Sequence, residues 1–225
     1  MIYCKTLEVA DYEWLKPQVG HILSVRDMLH ESNAVARFEH EHRAWEYAIV
    51  TRALLENETR NVLDVGGGAS VFAPAWTCLP FSNSVMQIDP GIEMQWIPKQ
   101  EEVIGQELPF EQVDFFNYTP AKTFGAVISL STIEHVSEDF RLFHKLLNSA
   151  TTGCLVAVTF DFHPSGEALV DGHLRTYGTS RIEEMIHMAE DEGFEIYGDG
   201  VDYTWRGPDV YEYTFGSLVV RKVRR

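Results

Sequence analysis

Val35, Phe38, His42, Trp45 and Ile49 recur at alternating steps of three and four, with Glu39, Glu41, Arg43 and Glu46 between them. That spacing predicts a helix with one buried stripe. Beyond a turn at Asn57-Glu58-Thr59-Arg60 the pattern changes to short apolar runs. Val62–Val65, Ser84–Ile88, a short piece within Phe110–Phe116, Phe124–Leu130 and Cys154–Phe160 read as five strands. Ser131-Thr132-Ile133-Glu134 and Ser180-Arg181-Ile182-Glu183 match the capping-box pattern and predict two helix starts. Phe140, Phe143, Leu146 and Leu147 supply the apolar face of the first helix. Ile182, Met185, Ile186 and Ala189 supply that of the second, which Gly193 closes. Phe194–Tyr197 and Tyr213–Val223 add two final strands.

Apolar strands alternating with helices predict a parallel sheet covered on both faces. With right-handed crossovers this is a doubly wound, Rossmann-like α/β fold with seven mostly parallel strands. The last two strands have no room for a helix between them, so the final strand is expected to be antiparallel. Residues 58–225 form this domain. Residues 1–57 are expected to be an N-terminal helical cap over the carboxyl edge of the sheet.

Composition narrows the partners. The 225 residues carry 18 Lys plus Arg against 34 Asp plus Glu, a formal charge of −16, and four of the positives lie in the last five residues. Such a surface repels phosphate backbones and anionic lipid, so neither nucleic acid nor membrane is an expected partner. Cys4, Cys78 and Cys154 are odd in number and widely spaced, as in a reducing compartment. The first residues lack the order of a signal peptide, and no apolar run approaches membrane-spanning length. A cytoplasmic protein is expected.

The first strand runs directly into Gly66-Gly67-Gly68, and Asp89 follows Gly68 by 21 residues at the end of the second. In open α/β sheets ligands bind at strand carboxyl ends near the topological switch point. Glycines there let backbone approach a ligand, and an acid after the second strand can accept from two ribose hydroxyls. A nucleoside-containing cofactor is expected. A dinucleotide fingerprint beginning at Gly66 would need glycine where Val71 stands, and Pro74 interrupts the following helix. No G-x-x-x-x-G-K-[ST] loop is present.

Over residues 60–220 the chain resembles the class I S-adenosylmethionine-dependent methyltransferases of small-molecule and glycan type. Val62-Leu63-Asp64-Val65-Gly66-Gly67-Gly68 is similar to their first motif, Gln87-Ile88-Asp89 to their second, and Val113-Asp114-Phe115 to their adenine segment. Phe124–Val136, ending Ile133-Glu134-His135-Val136, is similar to their fourth-strand motif, and His173-Leu174-Arg175-Thr176-Tyr177 to a segment before the penultimate helix. The resemblance implies S-adenosylmethionine as cofactor. It implies that Asp64 orients the amino group and that Gly66, Gly67 and Gly68 line the methionine and ribose part. Asp89 would hold the ribose hydroxyls and Asp114 the adenine amino group. Phe115 would pack near the ring, and Ser131 would border the cofactor after the fourth strand. The departures are Ser70, where a further glycine often stands, and Gly125, where an acid often begins the fourth strand.

Histidines near strand ends are the candidate bases: His135 after strand four, and His163 after strand five. Trp45 and Tyr47, which flank Glu46, are candidate acceptor contacts together with His173. Glu134 reads mainly as a helix cap. His40 and His42, two apart on a helix, point in different directions and hold no metal together. Asp161 and His163 alone do not define a metal site, and none is assigned. The expected reaction is methyl transfer to an O or N atom of a small molecule or sugar. A nucleic-acid methyltransferase and a non-catalytic S-adenosylmethionine-binding partner subunit remain alternatives, while a nicotinamide dehydrogenase fails at Val71. Acceptor and oligomeric state stay open.

Overall fold

The computed structural model describes residues 1–34, 43–68, 70–81, 83–91, 95–166, 169–170, 174–205 and 213–223. The first half of the predicted stripe, Val35–His42, lies outside them. The main sheet is built on β2 (Asn61–Val65), β3 (Ser84–Ile88), β4 (Phe110–Glu111), β5 (Ala126–Leu130) and β6 (Leu155–Phe162), paired in parallel in the order β6-β5-β2-β3-β4. The chain first moves outward from β2 through β3 to β4, then returns to the other side of β2 with β5. The switch point therefore lies between β2 and β5, and the glycine loop and the loop after β5 share one edge.

The expected antiparallel last strand is present as β11 (Thr214–Lys222), paired with β6 and with β9 (Phe194–Ile196). Among the described residues the sheet has nine strands, where seven were expected. One addition lies in a segment read as helix only, β1 (Cys4–Thr6), which pairs antiparallel with β11; the other, β10 (Val201–Asp202), lies between the last two expected strands and pairs with β1. Tyr3, Cys4 and Thr6 suit a pleated surface, and Ser217 Oγ donates to the Tyr3 carbonyl at 2.7 Å.

Two helices complete the N-terminal segment, α1 (Asp11–Glu31) and α2 (Arg43–Glu56). They form part of the layer on one sheet face, with α3 (Phe72–Thr77) and α4 (Ile97–Ile104), where Trp45, Phe72 and Trp76 are buried against Val62, Ala126 and Val219. Asp11 joins strand to helices: its carboxylate accepts from Lys5 Nζ at 2.7 Å, Trp14 Nε1 at 3.1 Å and Trp45 Nε1 at 2.9 Å. The opposite face is covered by α5 (Asp139–Asn148) and α6 (Thr179–Asp191), through Phe143, Leu146, Ile182 and Met185. A small hairpin pairs β7 (Leu169–Val170) with β8 (Leu174–Arg175).

Neither capping box forms. α5 starts at Asp139, well after Ser131, and α6 starts behind Gly178 without a side-chain cap. Ser131 instead bonds Glu46 of α2, and Glu134 lies on a 3-10 turn just after β5. Gly193, at φ +83°, does end α6, as a residue free to turn left-handed should.

Candidate functional site

β2 delivers Asp64 and the glycine loop to the sheet edge. Gly66 (φ +79°) and Gly68 (φ +53°) adopt left-handed backbone, and the Gly66 N–H donates to the Ile88 carbonyl at 2.8 Å, which ties the loop to β3. A Cβ on Gly66 would collide with the Thr132 side chain, and one on Gly67 with the Asp64 carboxyl. Thr132 Oγ1 donates to the Gly66 carbonyl at 3.0 Å, so the loop after β5 braces the glycine loop.

Asp64 lies beneath that loop, fully buried, and among the described residues neither carboxylate oxygen has a hydrogen-bond partner. Burial first, and then the charge of Asp89, pushes its carboxyl up to about 7. Asp89 ends β3, where its Oδ1 accepts from the Gly91 N–H at 2.5 Å. Asp114 caps the 3-10 turn Phe115–Asn117 through Oδ1, which accepts from the Phe116 N–H at 2.8 Å. Phe115 is buried in the core, 6.3 Å from the Tyr118 ring and with Lys145 Nζ 4.9 Å from its centroid. Its half-exposed neighbour Phe116 is the more open of the two rings.

Trp45 and Tyr47 do not line an open acceptor pocket. Trp45 is fully buried with its indole N–H on Asp11, and the Tyr47 ring packs 6.2 Å from Phe72. The residue between them is the one that faces the sheet edge. Glu46 Oε1 accepts a 2.5 Å hydrogen bond from Ser131 Oγ, and Thr159 also donates to this carboxyl. Ser131 is held at φ +44°, with its own N–H donating to Thr159 Oγ1 at 2.9 Å.

Two further acids join Glu46. On β6, Phe160 and Phe162 pack in the core on the α5–α6 face, so alternation turns Thr159 and Asp161 toward α2. Glu134 stands on the 3-10 turn Ile133–His135 just after β5, buried, with no other side chain among the described residues bonded to its carboxylate. Burial, and next the charge of Asp161, raises the Glu134 carboxyl well above the ordinary carboxylate range. Burial and Glu46 push Asp161 up to about 7. Burial also raises Glu46, against the opposing pull of Arg43, Ser131 and Thr159. Glu134 is thus a member of an acidic group and no helix cap. The sequence signals for this group were an acid inside the apolar run Ala44–Val50 and an acid near the end of a wholly buried strand.

His135 is exposed, directly after Glu134. His163 follows β6, and its Nδ1 accepts from the Ser165 N–H at 3.2 Å, which leaves the neutral ring with its proton on Nε2. Its ring meets Trp205 edge-on at 5.6 Å. His173 lies outside the described residues. Asp139 anchors the turn that carries Glu134 and His135. Its carboxylate accepts from Tyr177 Oη and from Arg181 Nη2, both at 2.7 Å, while Tyr177 Oη also reaches the Ile133 carbonyl at 3.4 Å. Among the described residues no three His, Cys, Asp or Glu side chains gather as metal ligands, and no helix is long and apolar enough to cross a membrane.

No protein-family model and no curated protein sequence matches the chain. Solved structures do. An S-adenosylmethionine-dependent methyltransferase from Clostridium acetobutylicum superposes with TM-score 0.60 at 12% identity, over 88% of this chain and 99% of that one. Magnesium protoporphyrin IX methyltransferase from Synechocystis, with bound SAH, gives 0.62 at 16% identity over 88% and 94%. The cyclase SpnF gives 0.61 at 18% identity over 89% and 93%. The fold is that of the S-adenosylmethionine-dependent methyltransferases. The cyclase among these likenesses is a reminder that such a fold alone names no reaction.

Proposed function

We propose that the protein is an S-adenosylmethionine-dependent methyltransferase acting on an O or N atom of a small molecule or sugar. The observation that carries this reading is the Asp64–glycine loop–Asp89 edge. A buried carboxyl without a partner lies under a loop where added side chains would collide, beside a second acid at the next strand's end. Those features fit a ligand that brings a cationic amino group and a ribose diol. When bound, such a cofactor supplies a methyl group already activated on sulfonium, so the chain's task is to align an acceptor and exclude water.

Asp64 would receive the amino group, with the Gly66–Gly68 backbone beside it. Asp89 would accept from the ribose hydroxyls and Asp114 from the adenine amino group. Phe115 supports that segment from within the core, and Ser131 borders the site from the β5 side. His135, exposed on the turn after β5, is the preferred base for an acceptor that must lose a proton. His163 is second, because the end of β6 that it follows borders the same edge. The net charge of −16 supports a small-molecule acceptor over nucleic acid, and the cysteine usage supports a cytoplasmic setting.

Calorimetric titration with S-adenosylmethionine, SAH and NADH tests the reading. It expects binding of the first two and none of the third. NADH binding alone overturns it.

A further inference from the structure

Glu46, Glu134 and Asp161 come from three separate elements: α2, the turn after β5, and β6. All three are at least 97% buried, with exposures of 0%, 3% and 3%. Among the described residues Glu46 Oε2, both oxygens of Glu134 and Oδ1 of Asp161 have no hydrogen-bond partner, and Arg43 stands with Nη1 3.9 Å from Glu46. Asp161 and Glu46 both raise the proton affinity of Glu134, and Glu46 raises that of Asp161. Burying a polar group without a partner costs free energy, so unpartnered buried acids beside a candidate active site point to a missing donor. Glu134 makes that point independently of the Glu46–Asp161 pair. It arrives on a different loop, and among the described residues no other side chain bonds its carboxyl.

Three acids facing one guanidinium call for a positively charged donor. Among the described residues no group of three His, Cys, Asp or Glu is placed to hold a metal ion. The surroundings are partly apolar: Phe215 lies opposite Asp161 in the β6–β11 register, with the Arg43 guanidinium 6.0 Å from its ring centroid. An organic ammonium matches both features, with N–H groups for oxygens on separate elements and a carbon body for the aromatic wall.

We propose that Glu46, Glu134 and Asp161 form the acceptor subsite and that they select a basic amine, bound as its ammonium ion. The proposal rests on the methyl-transfer reading and assigns the acceptor class within it. Bound there, the ammonium can pass one N–H proton to a carboxylate oxygen. The acid becomes neutral, the amine keeps the electron pair of that bond as its lone pair, and the pair's total charge is unchanged. An alcohol or sugar hydroxyl brings no charge that favours ionisation of these acids.

The test loads the full chain with SAH and titrates benzylamine, phenethylamine and N-methylphenethylamine against benzyl alcohol and 2-phenylethanol. Calorimetry in two buffers of different ionisation enthalpy reads proton release on binding. Expected is binding of at least one amine with release of a proton and no binding of the alcohols. Glu46→Gln and Asp161→Asn should each weaken the amine at least tenfold while SAH affinity stays within threefold. Far-ultraviolet circular dichroism verifies folding, and Thr159→Val provides a second, uncharged perturbation that should weaken the amine less than either acid variant does. Binding of the alcohols as tightly as the amines, amine binding unaffected in the acid variants, or no amine binding to the SAH-loaded chain overturns the proposal. Saturable Mg²⁺ binding that the acid variants abolish overturns it in favour of a metal. Failure of SAH itself to bind removes the methyl-transfer reading and this proposal with it.

Discussion

Ser131 Oγ donates a 2.5 Å hydrogen bond to Glu46 Oε1, joining the loop after β5 to helix α2 across 85 residues of sequence. The contact fixes more than a pair of side chains. Thr132, the next residue, holds the Gly66 carbonyl, so α2, the loop after β5 and the glycine loop are mechanically continuous. The strut thus runs from Glu46, one of the buried acids, to the glycine loop that covers Asp64.

The strut carries backbone strain. Ser131 sits at φ +44°, a region costing an L residue about 1–2 kcal/mol. Ser131→Ala removes the hydroxyl and keeps the strain, whereas Ser131→Gly removes both. Urea unfolding should find both variants less stable than the natural chain, with alanine below glycine by about 1 kcal/mol. If alanine equals or exceeds glycine, the backbone at this position is not strained.

Asp89→Ala should leave folding intact and weaken SAH by roughly 2–4 kcal/mol, the scale of two hydrogen bonds to a charged acceptor. That is on the order of 30- to 1,000-fold in Kd. Gly67→Ala should weaken SAH for a different reason, since its Cβ displaces the Asp64 carboxyl. Unchanged calorimetric affinity in Asp89→Ala would detach Asp89 from the cofactor.

Asp64 also gives the site a pH signature. Its carboxyl titrates at about 7 in the folded chain, against an ordinary value of ~3.9 when unfolded. Between those values the folded state binds more protons, so this residue's contribution to stability falls as pH rises from about 4 to about 7. A ligand ammonium beside it favours the ionised form. SAH affinity is therefore expected to rise from pH 6 to pH 8 and then level off, and Asp64→Asn should flatten the slope. A slope that persists in Asp64→Asn belongs to another group.

Much of this site was readable along the chain because β2 and β3 are short, apolar and end in Gly or Asp. Local sequence alone sets which residues reach the edge there. Strands five and six were equally plain, and alternation along β6 sends Asp161 to the α2 face. The acid group was harder to read, since its members are 46, 134 and 161 and only tertiary packing brings them together. Trp45 and Tyr47 attracted attention as aromatics beside an acid, but successive residues on a helix diverge by ~100°. The fold sends the rings into the core and the carboxyl to the sheet edge. Ser131-x-x-Glu134 carried a true capping-box pattern, overridden because both side chains lie at a buried strand end, where Glu46 takes the hydroxyl.

The role of residues 1–57 provides the last prediction. A separate lid could be removed without unfolding the sheet beneath it. Their contacts support a structural part: β1 pairs with β11, Asp11 bonds Lys5, Trp14 and Trp45, and α2 buries Trp45, Ile49 and Leu54 against the sheet layer. Fully burying side chains of this size contributes ~1.5–3 kcal/mol each, so losing three of them removes an amount comparable with the ~5–15 kcal/mol that holds a typical domain together. Deleting residues 1–57 should therefore give a chain without cooperative thermal unfolding by circular dichroism. Deleting residues 1–7, which removes β1 but keeps α1 and α2, should leave a folded chain with a lowered Tm. If the 58–225 fragment melts cooperatively and still binds SAH, the N-terminal segment is an accessory to the site and no part of its foundation.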